Sequence, residues 1–366
     1  MYALKTLLNQ YLRFIITAFG IALCVILMLF LLAVYKGAAD GAVEYIKSND
    51  TDIWVMQNNA TNILRNTSFV SSNLSRTLSE IDGVKSVSSV LFLLASVKTG
   101  EHPASIYLAG YDLQSVKGRP PVIIKGRNIE RDDEIVLDNS FAAKYRISIG
   151  NRIVIKRDTL IVTGFSTGTN LFVLQYGFVT LRKAREMLGF PGYVSIYLID
   201  TSDGKEISEV VKSIFDKIPG IAVFDNLTFL ENNSYEMKSG VLPILFIVAF
   251  IGGIILTAIL SLILSVYVLE QRQDYAIMKA IGSPSGFISG MVVKQALILA
   301  GSGMLLAFIM FFPLLKLVGK ISPEVTAESS LLQLIVVAVC LFVISLISSI
   351  IPALKLRRIY PLEVFY

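Results

Sequence analysis

The chain has 366 residues, of which 54% are hydrophobic and only 17% are charged. An average soluble domain carries about 25% charged residues, so this composition excludes an ordinary soluble enzyme. The net charge of +5 does not indicate a nucleic-acid partner, because residues 37–239 contain 22 Lys and Arg against 23 Asp and Glu.

Four runs of the sequence contain no charged residue and span 14–35, 240–269, 295–315 and 329–354. Each is as long as the roughly 20 residues that a helix needs to cross a bilayer, so four transmembrane helices are predicted. Basic residues flank the first and last runs: Lys5, Arg13, Lys355, Arg357 and Arg358. Because an excess of Lys and Arg marks the cytoplasmic side, we predict a multi-pass protein with both termini in the cytoplasm.

This topology predicts eight segments along the chain. They are an amphipathic start with the first span (1–36), an extracytoplasmic domain (37–239), the second span (240–269), a cytoplasmic helix (270–285), the third span (286–317), an extracytoplasmic loop (318–328), the fourth span (329–354) and a cytoplasmic tail (355–366).

The segment 37–239 alternates strand-like and helix-like patterns, which predicts an α/β domain. Residues 81–87 and 218–223 resemble each other, since each passes from a helix through a Gly turn into a short apolar run. A split βαβ part built from both ends of the domain explains this similarity, with a β-rich lobe inserted over 100–200. The alternative is a chance similarity of two turns.

Sequence motifs for catalysis are missing. The phosphate-binding pattern G-x-x-x-x-G-K-[ST] does not occur, no Ser lies in a G-x-S-x-G context, and the single His cannot supply a His-rich metal site. We therefore predict no catalytic site, no metal site and no cofactor bound by this chain. The four apolar runs also contain no Asp, Glu, Lys, Arg or His, which argues against a stand-alone ion-coupled transporter.

The loop after the second span reads as a short helix that Gly282, Ser283 and Pro284 terminate. On a helical wheel, an apolar arc contains Tyr275, Ile277, Met278 and Ile281, whereas Arg272 and Lys279 lie opposite and Asp274 interrupts the arc. Two readings stay open. The helix lies in the headgroup layer, or it docks on a cytoplasmic partner.

Residues 270–284 resemble the E-R-x-x-E-I-G-I-L-K-A-I-G-A-S stretch of MacB/FtsX-type ABC transporter permeases. Further segments are similar to the same family, namely 4–8 with 12–13, 134–144 with 149–153, and 351–355 with 360–363. Residues 164–170 and 175–180 look most like the corresponding segments of the DevC-like branch of this family. Gln271, Asp274, Tyr275 and Arg358 depart from the family pattern and blur the subfamily.

The resemblance implies a homodimeric permease in a prokaryotic inner or plasma membrane, with a MacB-like core domain over 37–239. It implies a separate ATP-binding cassette subunit that holds ATP and Mg²⁺, and in some branches a membrane-fusion adaptor protein. The cytoplasmic helix would then be the coupling helix seated on that ATPase. Its implied contact residues are Glu270, Arg272, Asp274, Tyr275, Ile277, Met278, Lys279, Ala280, Ile281 and Gly282.

The expected function is ATP-driven export, in which ATPase motion reaches the extracytoplasmic domain and expels a hydrophobic or amphipathic compound such as a lipid, glycolipid, haem or drug-like molecule. The alternatives are mechanical regulation of a cell-wall hydrolase and lipoprotein extraction. The large extracytoplasmic domain favours export over hydrolase regulation. The weak candidates for substrate or haem contact are Glu44, Tyr45 and Met56, which a solvated juxtamembrane helix explains better.

Overall fold

The computed structural model describes residues 11–63, 66–99, 102–171, 174–240 and 242–357. They form two compact units. The helical unit comprises 11–36, 243–318 and 327–357, and the α/β unit comprises Gly37–Leu242 and Gly319–Thr326. The family-like segments at 4–8 and 360–363 lie outside the described residues.

The helices of the described part are α1 (Tyr11–Asn49), α2 (Leu74–Ser79), α3 (Asn139–Lys144), α4 (Leu181–Leu188), α5 (Ile207–Lys217), α6 (Asn226–Ser239), α7 (Leu242–Glu270), α8 (Arg272–Ala280), α9 (Ser285–Ile321) and α10 (Leu331–Arg357). Helices α1, α7, α9 and α10 are long and apolar enough to cross a membrane. The predicted membrane part of four helices is confirmed.

Helix α1 is longer than its apolar run. It continues through the polar residues 37–49 and ends at Asn49, whose Nδ2 donates to the carbonyl oxygen of Tyr45 at 2.7 Å. Asp50 follows in the left-handed region at φ 42°, a conformation that commonly ends a helix. The hydrophobic pattern stops at residue 36, but nothing in the following residues stops the helix.

Small residues let the helices of the helical unit approach one another closely. A Cβ at Gly303 in α9 would lie 2.5 Å from Cγ2 of Ile21 and 3.1 Å from the carbonyl oxygen of Ala18, both in α1. Ala300 and Ala307, which continue this stripe, are buried in the same apolar cluster. Packing inside one chain therefore explains this small-residue pattern.

The strands are β1 (Ile53–Gln57), β2 (Val70–Ser71), β3 (Val84–Thr99), β4 (His102–Tyr111), β5 (Val122–Gly126), β6 (Glu134–Asp138), β7 (Arg152–Ile155), β8 (Asp158–Thr167), β9 (Tyr176–Thr180), β10 (Tyr193–Val194), β11 (Ile196–Thr201) and β12 (Ile221–Asp225). At one end of the main sheet the order is β12-β1-β11-β3, with all neighbours antiparallel. Since α2 joins β1 to β3 and α5 joins β11 to β12, this part is a split βαβ arrangement from both ends of the domain, as predicted.

The inserted β-rich lobe continues the same sheet. Strand β3 has 16 residues and pairs with β11 at one end and with β4 along Val90–Thr99. From β4 the order runs on through β9, β6 and β8 to β5, while β7 pairs with β3 and β8. One ten-stranded sheet thus carries both parts, and the short β2 and β10 form a separate pair.

Both faces of the sheet are buried, and alternation along β1 assigns its side chains to them. Ile53 and Val55 join an aliphatic cluster that also contains residues of α2, α3, α4 and α5. Trp54 and Met56 join an aromatic cluster with Phe229 of α6 and Tyr45 near the end of α1. The period-2 alternation that predicts a strand therefore fills two different cores.

The carboxylate of Glu134, at the start of β6, is the most heavily hydrogen-bonded acid of the lobe. Its side chain is fully buried and accepts bonds from Nη1 of Arg127 at 2.9 Å, from Nε of Arg131 at 3.1 Å and from the backbone N–H of Glu130 at 2.8 Å. Hydrogen bonding from Arg127 lowers the pKa of Glu134 to about 2, although burial acts in the opposite direction.

Candidate functional site

Helix α8 of the helical unit ends in a motif that the sequence identifies. Gly282 has φ 96°, which suits glycine because it lacks a Cβ. Its N–H donates to the carbonyl oxygen of Lys279, and the N–H of Ser283 donates to that of Met278, both at 3.0 Å. This pair of bonds is the Schellman arrangement, which satisfies the last carbonyl groups of the helix and stops it before Pro284.

The inner face of α8 is attached to the rest of the helical unit. Tyr275 and Ala276 are buried with Val268, Ile288 and Leu356 from three other helices. The hydroxyl of Tyr275 donates to Oε1 of Gln271 at 3.1 Å. In addition, Nζ of Lys279 donates to the carbonyl oxygen of Leu356 in α10 at 3.0 Å. These contacts fix the orientation of the short helix.

The outer face of α8 exposes apolar and acidic side chains. Ile281 is 80% exposed and Ile277 is 43% exposed, and Asp274 lies on the same exposed side. The wheel predicts one apolar arc for Tyr275, Ile277, Met278 and Ile281, and that expectation is wrong. Tyr275 points inward and Met278 is half-buried against the same cluster, because the apolar residues are divided between two faces.

The junction between α7 and α8 is bonded to the first helix. Glu270, the last residue of α7, forms an ion pair with Arg13 of α1. The guanidinium carbon of Arg13 also lies 5.8 Å from the ring centroid of Tyr267. A force applied at α8 would therefore reach α1 through Glu270, and α9 and α10 through the inner face.

In the α/β unit, the three weak substrate candidates do not share one open site. Tyr45 is buried, stacks on Tyr176 with ring centroids 5.1 Å apart, and donates its hydroxyl to the carbonyl oxygen of Gly118 at 3.1 Å. Met56 is buried but lines a cavity of about 340 Å³. Glu44 is half-buried beside Gly168. An axial haem ligand needs access, which Tyr45 does not have.

The predicted loop 318–328 holds contacts that the sequence does not reveal. Glu324 forms an ion pair of 2.9 Å with Lys144 of α3, and its backbone oxygen accepts a bond from Nδ2 of Asn170 at 3.0 Å. Asn170 is buried and in turn accepts from Nε2 of Gln175 at 3.1 Å. Through these bonds, residues Gly319–Thr326 are part of the α/β unit.

Reversing the charge of Glu324 should release this segment. In Glu324→Lys, two ammonium groups face each other in place of the ion pair. We therefore expect the backbone amides of 319–326 to exchange hydrogen about fivefold faster, which corresponds to a loss of roughly 1 kcal/mol in the free energy of local opening. Adding Lys144→Glu restores the wild-type rate, and Lys320→Glu, at an exposed position, leaves it unchanged. Hydrogen exchange with mass spectrometry measures the rates, and equal exchange in the single and double variants would refute the pairing.

Comparison with known proteins matches the chain to two family models and to solved structures that include two extracytoplasmic domains. The model described as MacB-like periplasmic core domain matches residues 14–215, and that described as FtsX-like permease C-terminal matches residues 239–361. The extracellular domain of the noncanonic ABC-type transporter YknZ from Gram-positive bacteria is 16% identical with a TM-score of 0.38, covering 48% of this chain and 100% of that one. The periplasmic region of MacB from Actinobacillus actinomycetemcomitans is 13% identical with a TM-score of 0.40, covering 52% and 96%.

Proposed function

Because the chain belongs to the MacB/FtsX-type family of ABC transporter permeases, we propose that it is the membrane subunit of an ATP-driven export complex. Permeases of this family generally work with an ATPase on a separate subunit. That subunit would bind ATP and Mg²⁺, while this chain binds neither and converts the resulting motion into export.

The outer face of α8 is the observation that carries this proposal. Ile277 and Ile281 expose apolar surface on a helix whose inner face is fixed by Tyr275 and Lys279. Apolar surface on a rigid, short loop helix suits docking into a groove of a protein partner. The exposed carboxylate of Asp274 adds a charge that an ATPase surface can recognise. These residues therefore form the proposed coupling face.

The contacts that α8 and its junction with α7 make inside the helical unit support transmission of motion to all four candidate spans. Glu270 connects the helix to α1, and Lys279 connects it to α10. The distribution of Lys and Arg supports a cytoplasmic location for α8 and for both termini. We expect two copies of the chain with two ATPase subunits in a prokaryotic plasma membrane, and a membrane-fusion adaptor outside it.

The proposed cargo is a hydrophobic or amphipathic compound that reaches the complex from the outer leaflet or the extracytoplasmic space. The large α/β unit with its apolar cavity favours export over hydrolase regulation and lipoprotein extraction. Tyr45 is a poor axial ligand for haem, because its hydroxyl is buried and already bonded to Gly118.

Joint purification with an ATP-binding cassette protein encoded beside this chain tests the proposal. We expect a stable complex with two copies of each subunit, whose ATP hydrolysis in lipid nanodiscs exceeds that of the ATPase alone. A folded chain that binds no such ATPase under any nucleotide condition would overturn the proposed function.

A further inference from the structure

The cavity beside Met56 has the properties of a ligand site. It measures about 340 Å³, near the lower end of the 300–1,000 Å³ that ligand pockets span. Its inner wall includes the rings of Phe92 and Tyr107, which stack 5.3 Å apart at an interplanar angle of 5°. Its rim includes Leu94 and Phe69, which are 58% and 40% exposed. Large apolar side chains exposed next to a concave apolar surface point to a ligand that covers them.

Two hydroxyl groups of this wall are already bonded inside the protein. The hydroxyl of Tyr107 donates to the carbonyl oxygen of Ile63 at 3.0 Å, and Oγ of Ser68 donates to that of Ser195 at 2.6 Å. The cavity therefore offers apolar surface to a ligand, and a chain or ring would bind there by burial of apolar area.

One positively charged side chain lines this cavity. Lys156 is the only charged residue among the described residues that line it. Its Nζ donates to the carbonyl oxygen of Met187 at 2.9 Å, which holds the ammonium in place. Within the described part of the chain, no carboxylate pairs with Lys156. Because an ammonium group has three N–H donors, it can still bind an anionic ligand group.

A second, larger cavity of the α/β unit does not have a single uncompensated charge of this kind. It measures about 830 Å³ and is lined by both acidic and basic residues, of which Asp132 and Arg182 form an ion pair. A ligand there meets charges that neutralise each other. The smaller cavity, with largely apolar walls and one cation, instead complements a molecule with one apolar chain and one negative charge.

We propose that the cavity lined by Met56, Leu94 and Lys156 binds an anionic amphipathic molecule, with a single medium-length alkyl chain in the cavity and its acidic group at Lys156. In the export complex proposed above, this cavity would capture the compound to be exported. That role rests on the proposed function. The site assigns the cargo a chemical class, since a cationic amphiphile would meet the ammonium of Lys156 and be repelled.

Protection of a cysteine at the rim tests this site. In the full chain in neutral-lipid nanodiscs, with Cys24→Ala and Cys340→Ala as background, Leu94→Cys is labelled with a water-soluble maleimide at pH 8. We expect decanoate to slow labelling at least fivefold and decyltrimethylammonium to have no effect. Val116→Cys, at an exposed position of the same unit that does not line the cavity, should label at the same rate with and without decanoate.

The charge is tested by two neighbouring substitutions in one turn. Lys156→Gln should raise the decanoate concentration needed for half-protection at least fivefold, whereas Arg157→Gln should leave it unchanged. The site is overturned if decanoate fails to protect Leu94→Cys, if both amphiphiles protect equally, or if Lys156→Gln has no effect. The assay contains no ATP and no ATPase subunit. Its failure therefore leaves the ATPase complex intact, and failure of that complex leaves this binding result standing.

Discussion

The Ile281→Asp variant should lose its ATPase partner while keeping its own fold. Ile281, the residue that follows α8, is 80% exposed on the outer side, so the substitution removes little internal packing. In the complex, burial of an isoleucine side chain contributes about 1.5–3 kcal/mol, and a buried unpaired carboxylate adds a further penalty. We expect the affinity for the ATPase subunit to fall at least about 100-fold, which corresponds to about 2.7 kcal/mol.

A matched substitution distinguishes this effect from a general loss of solubility. Val116 is also an exposed β-branched apolar residue, at 78% exposure, but it lies in the α/β unit. Val116→Asp should bind the ATPase with wild-type affinity. Affinity measured by surface plasmon resonance in nanodiscs decides the question. Wild-type binding by Ile281→Asp would show that the outer face of α8 does not contact the ATPase.

The second large effect concerns the stability of the α/β unit. Glu134→Gln removes a buried charge that Arg127, Arg131 and a backbone N–H stabilise. The pKa of Glu134 is about 2 in the folded chain against an ordinary value of 4.5. That difference corresponds to about 3 kcal/mol. At neutral pH, the free energy of unfolding of the α/β unit should therefore be lower by about this amount in Glu134→Gln than in the wild type. Trp54, the single tryptophan, is buried in this unit and reports its unfolding by fluorescence.

The sign of the pH dependence follows from the lowered pKa of Glu134. The stabilisation is complete above pH 4.5 and is lost as the pH falls from 4.5 towards 2, since in that range the unfolded state binds a proton at this carboxylate and the folded state does not. The stability gap between wild type and Glu134→Gln should therefore narrow below pH 4.5. Asp133→Asn, at an exposed neighbour, should change stability by less than about 1 kcal/mol. A gap that stays constant between pH 7 and pH 3 would contradict the assigned network.

Several features could be predicted because they depend on short stretches of sequence. The four apolar runs are long enough to require membrane-spanning helices, and Gly282 followed by Pro284 ends α8 whatever surrounds it. The two helix–Gly–strand segments at 81–87 and 218–223 predicted the split βαβ part. Each of these signals is local, and hydrophobic periodicity or backbone strain at glycine is enough to produce it.

Other features depend on contacts between distant residues and left no local signal. Tyr275 and Ile281 are both apolar, and only the packing of Tyr275 against Ile288 and Leu356 assigns them to opposite faces. The ion pair of Lys144 with Glu324 joins residues 180 positions apart. Likewise, the sequence around Lys156 indicates only a charged residue in a turn, and the fold is needed to show that it lines the same cavity as Leu94 and Met56.

Cross-linking from α8 tests the central claim most directly. In the background of Cys24→Ala and Cys340→Ala, a photoactivatable group on Ile281→Cys is irradiated in the complex with the ATP-binding cassette subunit, and the same group on Val116→Cys serves as the reference. The account predicts a covalent adduct with the ATPase from position 281 and none from position 116. An intact complex in which position 281 yields only lipid adducts would contradict it, because α8 would then lie in the headgroup layer.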